Sequence, residues 1–242
     1  MFINSEVSSE FFFAQFNYLI ALFSMKLIGL LIGLLTLTGC IQTPITQTVV
    51  EAFGKGKSSN VDAIKLNPNL NYLRVTVRNR SVLMVLGYLE NTPQGNIETW
   101  YSSEGEALKL LNGRVVSTNG LELDWRNVRY EPLPNWVDVQ ALNSKASSFE
   151  FKRHYDSMPA YRFGISETVQ VYGINAPSNS NLVGLPAHQL SWVEEKVKGT
   201  GHGLPSARYG LGTKDGNTRV VYGEQCFSNE LCFSWQTWPV TQ

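Results

Sequence analysis

Ala107-Leu108-Lys109-Leu110-Leu111-Asn112-Gly113-Arg114-Val115-Val116 is the stretch whose reading decides the fold. Asn-Gly stands between two apolar runs of strand length. A two-residue turn that matches the twist of antiparallel strands needs positive φ at both central positions, and Asn and Gly reach that region at least cost. The stretch predicts a β-hairpin. Upstream, residues 97–102 alternate apolar and polar side chains around Trp100, residues 82–89 form a continuous apolar run, and residues 72–77 alternate again. Downstream, residues 121–125 continue the meander. Alternation is the signature of a half-buried strand, and a filled run that of a buried one.

A second hairpin signal, Lys214-Asp215-Gly216-Asn217, stands between residues 208–211 and 218–222. Strand patterns also cover 168–172 and 190–197, and 147–155 alternates. The stretch around Pro132, Pro134 and Trp136 reads as a loop, with Trp136 the best placed for an exposed contact. The count comes to roughly ten short strands with turns every eight to twelve residues, and βαβ alternation and internal repeats are missing. The expected fold is all-β: a mainly antiparallel sandwich or a partly open barrel, in a single domain over residues 61–242. A short N-terminal helix is expected at 46–53, ended by Gly54 and Gly56.

The formal charge is zero, with 20 basic and 20 acidic residues. This leaves no electrostatic footprint for nucleic acid. The N-terminal segment carries the clearest address. Leu37-Thr38-Gly39-Cys40 closes an apolar run that begins after Met25-Lys26. It resembles a bacterial lipobox, in which small residues flank the cleavage point and the Cys thiol takes a diacylglycerol. A basic start, a short apolar core and a small-residue cut make a signal peptide. Met25 is therefore read as the true start, residues 1–39 as upstream extension plus signal peptide, Cys40 as the lipidated residue, and 40–60 as a lipid-anchored stalk. More than one acyl chain is needed for firm anchoring.

Of the three cysteines, Cys226 and Cys232 remain. In an oxidising compartment a disulfide across the short Ser228-Asn229-Glu230 turn is the expected state, with free thiols as the alternative. The spacing is wide for a zinc knuckle, and no metal site or cofactor is expected.

Residues 82–90 (Val-Leu-Met-Val-Leu-Gly-Tyr-Leu-Glu), Thr99-Trp100-Tyr101-Ser102, residues 110–118 and Trp192-Val193-Glu194-Glu195 occur in an order that resembles the group 4 capsule polysaccharide lipoproteins, the YjbF/GfcB family. The resemblance covers most of 41–225, and the Cys226–Cys232 pair falls outside it. It implies a lipid-anchored protein on the periplasmic face of the outer membrane. That protein would serve exopolysaccharide or capsule export beside an outer-membrane β-barrel and periplasmic export proteins, with polysaccharide as a candidate ligand. Ile41 after the Cys fits forwarding to the outer membrane.

No catalytic residue is assigned. His154, His188 and His202 lie far apart, and Gly-x-Ser-x-Gly is missing. In Arg153-His154-Tyr155-Asp156 the acid and base are read as pointing to opposite faces. Glu122 with Asp124, and Glu194 with Glu195, are the candidate carboxylates for a glycosidase, with alternating charges on an exposed face as the preferred reading. Among the aromatic residues, Trp100 and Trp136 are the candidates for contact with a glycan or a protein partner. Three readings follow. A non-enzymatic export accessory predicts an aromatic face without a carboxylate pair. A glycan-processing enzyme predicts two carboxylates about 5–9.5 Å apart in a groove. A lipid- or glycan-binding carrier, built as a half-barrel, predicts a dry hollow lined by Leu83, Val85 and Tyr88.

Overall fold

The computed structural model describes residues 61–142, 147–199, 203–214 and 216–240. The expected signal peptide, Cys40 and the 46–53 helix lie outside the described residues, as does His202. Twelve antiparallel strands form one sheet, in the order β5-β4-β3-β2-β1-β12-β11-β10-β9-β8-β7-β6. They are β1 (Tyr72–Val77), β2 (Arg80–Thr92), β3 (Gly95–Ser102), β4 (Ala107–Leu111), β5 (Arg114–Asn119), β6 (Asp124–Glu131), β7 (Phe149–Met158), β8 (Arg162–Ile174), β9 (Ser191–Val197), β10 (Ala207–Lys214), β11 (Asn217–Cys226) and β12 (Cys232–Trp238). Nearly every strand pairs with its chain neighbour, so tight turns set the register. The first and last strands also pair, with Val75 opposite Trp235. The result is a nearly closed up-and-down barrel. The expectation of a partly open barrel holds, and a sandwich is not what forms.

The opening lies between β5 and β6, the two sheet edges, which pack side by side. Side chains bridge it where a ladder would otherwise run. Tyr130 Oη donates to the Val115 carbonyl at 2.6 Å, and the Trp125 amide donates to Thr118 Oγ1 at 3.2 Å. Asp124 accepts from the amides of Gly120 and Leu121, which fixes the β5–β6 turn. Bonded edges of this kind do not offer themselves to a second chain.

Both predicted hairpins are present. Asn112 has φ +49° and Gly113 +83°, the left-handed backbone that the turn requires. The middle of the barrel is packed, with Leu73, Val75, Leu108, Leu110, Val169, Val171, Val193 and Leu211 in one core cluster. One end is closed by the β11–β12 hairpin. The Cys226–Cys232 disulfide joins opposed residues of this hairpin. Its Phe227 stacks on Trp125 at 4.3 Å, and Leu231 joins the core beside it. The loop between β8 and β9 lies over the outer face of β11 and β12. There Val183 exchanges two hydrogen bonds with the Gln236 amide, and the Asn181 amide bonds Tyr222 Oη.

Residues 132–142 cross the other end. The expected loop contains a short helix, α1 (Trp136–Gln140), capped by Asn135, whose side chain accepts from the Val137 amide at 3.0 Å. Trp136 is the first residue of that helix and is only 5% exposed. The expectation of an exposed contact at Trp136 is therefore corrected: the one-turn helix turns its indole into the barrel against Tyr209, with ring centroids 4.9 Å apart.

Candidate functional site

Strand alternation places four charged residues in the barrel. Glu195 is in phase with Val193 and Val197, and Arg153 with Phe151 and Tyr155, so both point inward with the apolar residues. Glu194 and Glu195 accordingly part company. Glu194 bonds Tyr172 on the outer face, and Glu195 lies fully buried against Arg114, with Nε to Oε1 at 2.8 Å. The Arg114 guanidinium also lies 3.4 Å above the Trp136 ring and donates from Nη1 to the Pro134 carbonyl at 3.0 Å. Arg153 pairs with Glu167 through Nε at 3.0 Å and Nη2 at 2.5 Å, and sits 4.7 Å over the Trp125 ring. Burial disfavours a charge on Arg153, but Glu167 outweighs it and the pKa is raised. Burial, and then Glu195, push the Tyr130 and Tyr209 hydroxyls well above the usual tyrosine range. Both phenols therefore remain neutral hydrogen-bonding groups. A buried ion pair costs desolvation, and it fixes the relative position of the elements that carry it. Here β5 and β9 are held together beside α1.

At the α1 end the barrel holds a cavity of about 670 Å³. This lies within the range of about 300–1,000 Å³ typical of small-ligand sites. Its floor is made of buried Leu73, Trp100, Leu110, Arg114, Trp136 and Trp235. Its rim carries the exposed amides of Asn71, Gln94, Asn96, Asn112 and Asn135. Glu98 and Arg219 stand in the wall. Burial raises the Glu98 pKa, while a hydrogen bond from Trp100 Nε1 at 3.2 Å and the charge of Arg219 work in the opposite direction. Trp136 Nε1 donates to the Asn112 carbonyl at 2.6 Å, which ties α1 to the β4–β5 turn. A Cβ on Gly223 would come within 2.3 Å of Trp235, so glycine is what lets that indole lie flat on β11.

Trp100 and Trp136, far apart in sequence, thus border one cavity. Leu83, Val85 and Tyr88 do not border it, and the hollow expected from them is corrected. Val85 packs on the outer face under Leu66 and Leu70, Leu83 stands opposite outward-facing Arg74, and Tyr88 is 58% exposed. The bulge between Leu86 and Tyr88 breaks the simple alternation there. Asp124 turns back onto its own turn, while Glu122 pairs with Arg78. His154 and Asp156, two residues apart, share the outer face rather than opposing one another. Asp156 is held by the Gly164 amide and by Asn127, which lower its pKa. Among the described residues no group of three or more His, Cys, Asp or Glu could hold a metal ion. No described helix is long and apolar enough to cross a membrane.

The buried charges and the cavity floor were missed in the sequence, although the phase of Glu195 with Val193 and Val197 was a readable signal. Arg219 and Trp235 carried none.

Comparison with known proteins identifies the fold. The solved structure of the hypothetical lipoprotein YmcC from Escherichia coli (K12) superposes with a TM-score of 0.52 at 14% identity, over 84% of this chain and 91% of that one. No curated protein matches. The family model of the group 4 capsule polysaccharide lipoproteins (gfcB, YjbF) matches residues 47–221, ending within β11 and leaving β12 and the disulfide hairpin outside. That match spans well over half of the 242 residues, and the chain belongs to the group 4 capsule polysaccharide lipoprotein family.

Proposed function

We propose that this protein is an outer-membrane lipoprotein, tethered through Cys40 on the periplasmic side. It acts without catalysis as an accessory factor in exopolysaccharide or capsule export or assembly. Its neighbours there are an outer-membrane β-barrel and periplasmic export proteins. Family membership supports the pathway. The observation that carries the non-catalytic part is the composition of the cavity. Glycoside hydrolysis by the usual route takes two carboxylates about 5–9.5 Å apart. The cavity lining supplies one, Glu98, which already accepts from Trp100, while Glu195 behind it is bound to Arg114. Indole surfaces and amides suit a binding role.

The test is deletion of the gene in the native host. Surface polymer should fall and return with the wild-type gene, and Cys40→Ala should fail to restore it. Polymer incubated with the purified protein should keep its chain length. Unchanged surface polymer after deletion would overturn the pathway assignment, and shortened chains in the incubation would overturn the non-enzymatic one.

A further inference from the structure

We propose that the cavity at the α1 end is a saccharide-binding site for a short, uncharged, hydroxyl-rich stretch of polymer. The inference rests on the export reading above and deepens it. Three independent features meet in one place. First, the floor and wall hold donors with no partner among the described residues: Arg114 Nη2, Arg219 Nε and Trp235 Nε1 are buried and unbonded there, and all three residues line the cavity. Arg114 and Trp235 are at most 2% exposed, so water does not satisfy these atoms. Buried donors without acceptors cost free energy, and a ligand that shifts these side chains enough to bring an oxygen to them recovers it.

Second, the apolar part of the floor is indole rather than aliphatic. Sugar rings present C–H faces that pack on aromatic carbon while their hydroxyls point sideways. The exposed amides of the rim, Asn96 among them, stand where such hydroxyls would reach. Amides both donate and accept, which is the pairing a hydroxyl needs. Third, the charges balance. Arg114 is matched by Glu195, and Arg219 by the charge of Glu98. A balanced site offers little to a uronate and favours oxygens that carry no charge.

The experiment uses the full chain extracted from membranes in detergent. The probe is the set of short oligomers released by mild acid from the polymer of the same cells. Binding is read by tryptophan fluorescence and calorimetry. The expected result is saturable binding that changes little with salt. Arg219→Met, which keeps the apolar stem, should weaken binding by about tenfold or more, as loss of a charge-assisted hydrogen bond does, and Asn96→Ala, on the exposed rim, by about two- to tenfold, as loss of a neutral one does. Trp192→Phe, on the outer face, should leave it unchanged. Melting curves of the variants exclude misfolding as the cause. No binding by any oligomer, or equal binding by all variants, would overturn the site. Binding that falls steeply with salt would overturn the uncharged class. Loss of export on deletion together with no oligomer binding sinks the site alone, and binding with normal export sinks the export reading alone.

Discussion

Glu195→Ala tests how the barrel holds its α1 end. The carboxylate is fully buried, 2.8 Å from Arg114 Nε, and Arg114 is itself 1% exposed. At that distance, with an effective dielectric of about 20, the gross attraction is about 6 kcal/mol. The substitution leaves the guanidinium buried with the Pro134 carbonyl and the Trp136 face, which offset part of the loss. Removing one partner of a buried pair costs about 3–5 kcal/mol. For a domain of this size that lowers the melting temperature by about 6–20 °C. The pair Arg114→Met with Glu195→Leu removes both charges and keeps the volume, so most of the stability should return. The assay is urea unfolding of the full chain in detergent, followed by indole fluorescence, with all four corners of the cycle measured. A Glu195→Ala protein within about 1 kcal/mol of wild type, or a double variant as unstable as the sum of its singles, would refute the reasoning.

Three further outcomes are expected. Glu98→Gln should stabilise the protein above the raised pKa of Glu98. In that range the native state keeps a buried carboxylate ionised at a cost, and Gln can still accept from Trp100. The raised folded pKa means that the native state binds the proton more tightly. The gain should therefore shrink as the pH falls through the raised value and vanish below the ordinary glutamate value of 4.5, which a pH series of unfolding curves reads directly. Replacing Cys226 and Cys232 together by Ser should cost about 2 kcal/mol, the loop-closure entropy of so short a ring, and should expose the Phe227 plug to faster hydrogen exchange. Tyr130→Phe removes the 2.6 Å bond to the Val115 carbonyl across the β5–β6 opening and should cost about 1–3 kcal/mol; loss of amide protection confined to β5 and β6 would mark the opening as the first part to separate.

The strands were legible because their side chains follow the pleat. Asn112-Gly113 and the turn at 214–217 announced their hairpins, and 72–77 and 82–89 read as a pair that the ladder joins. What was not legible has identifiable causes. A single turn of helix has too little periodicity to stand out among prolines, though Asn135 ahead of Trp136, with Asp138 in the first turn, is a capping signal. Charges in strands are read as solvated because most are. Arg114 and Glu195 go inside because they meet each other from strands far apart in sequence, and Arg153 because it meets Glu167 across the β7–β8 hairpin; the strand pattern alone does not show those pairings. Of the candidate contacts, Trp100 and Trp136 do meet at one cavity, but as buried floor rather than as an exposed patch. The remaining walls come from β11 and β12, whose neighbourhood with β1 to β4 exists only after the barrel closes.

The measurement that tests the central claim most directly is the intact mass of the protein extracted from native membranes. The account of a lipid-tethered barrel predicts the mass of residues 40–242 carrying a diacylglycerol on Cys40 and an acyl chain on its amine, less one hydrogen from each of Cys226 and Cys232. A mass that retains residues 1–39 without modification would contradict it, and the assignment to the outer membrane would fall with the anchor.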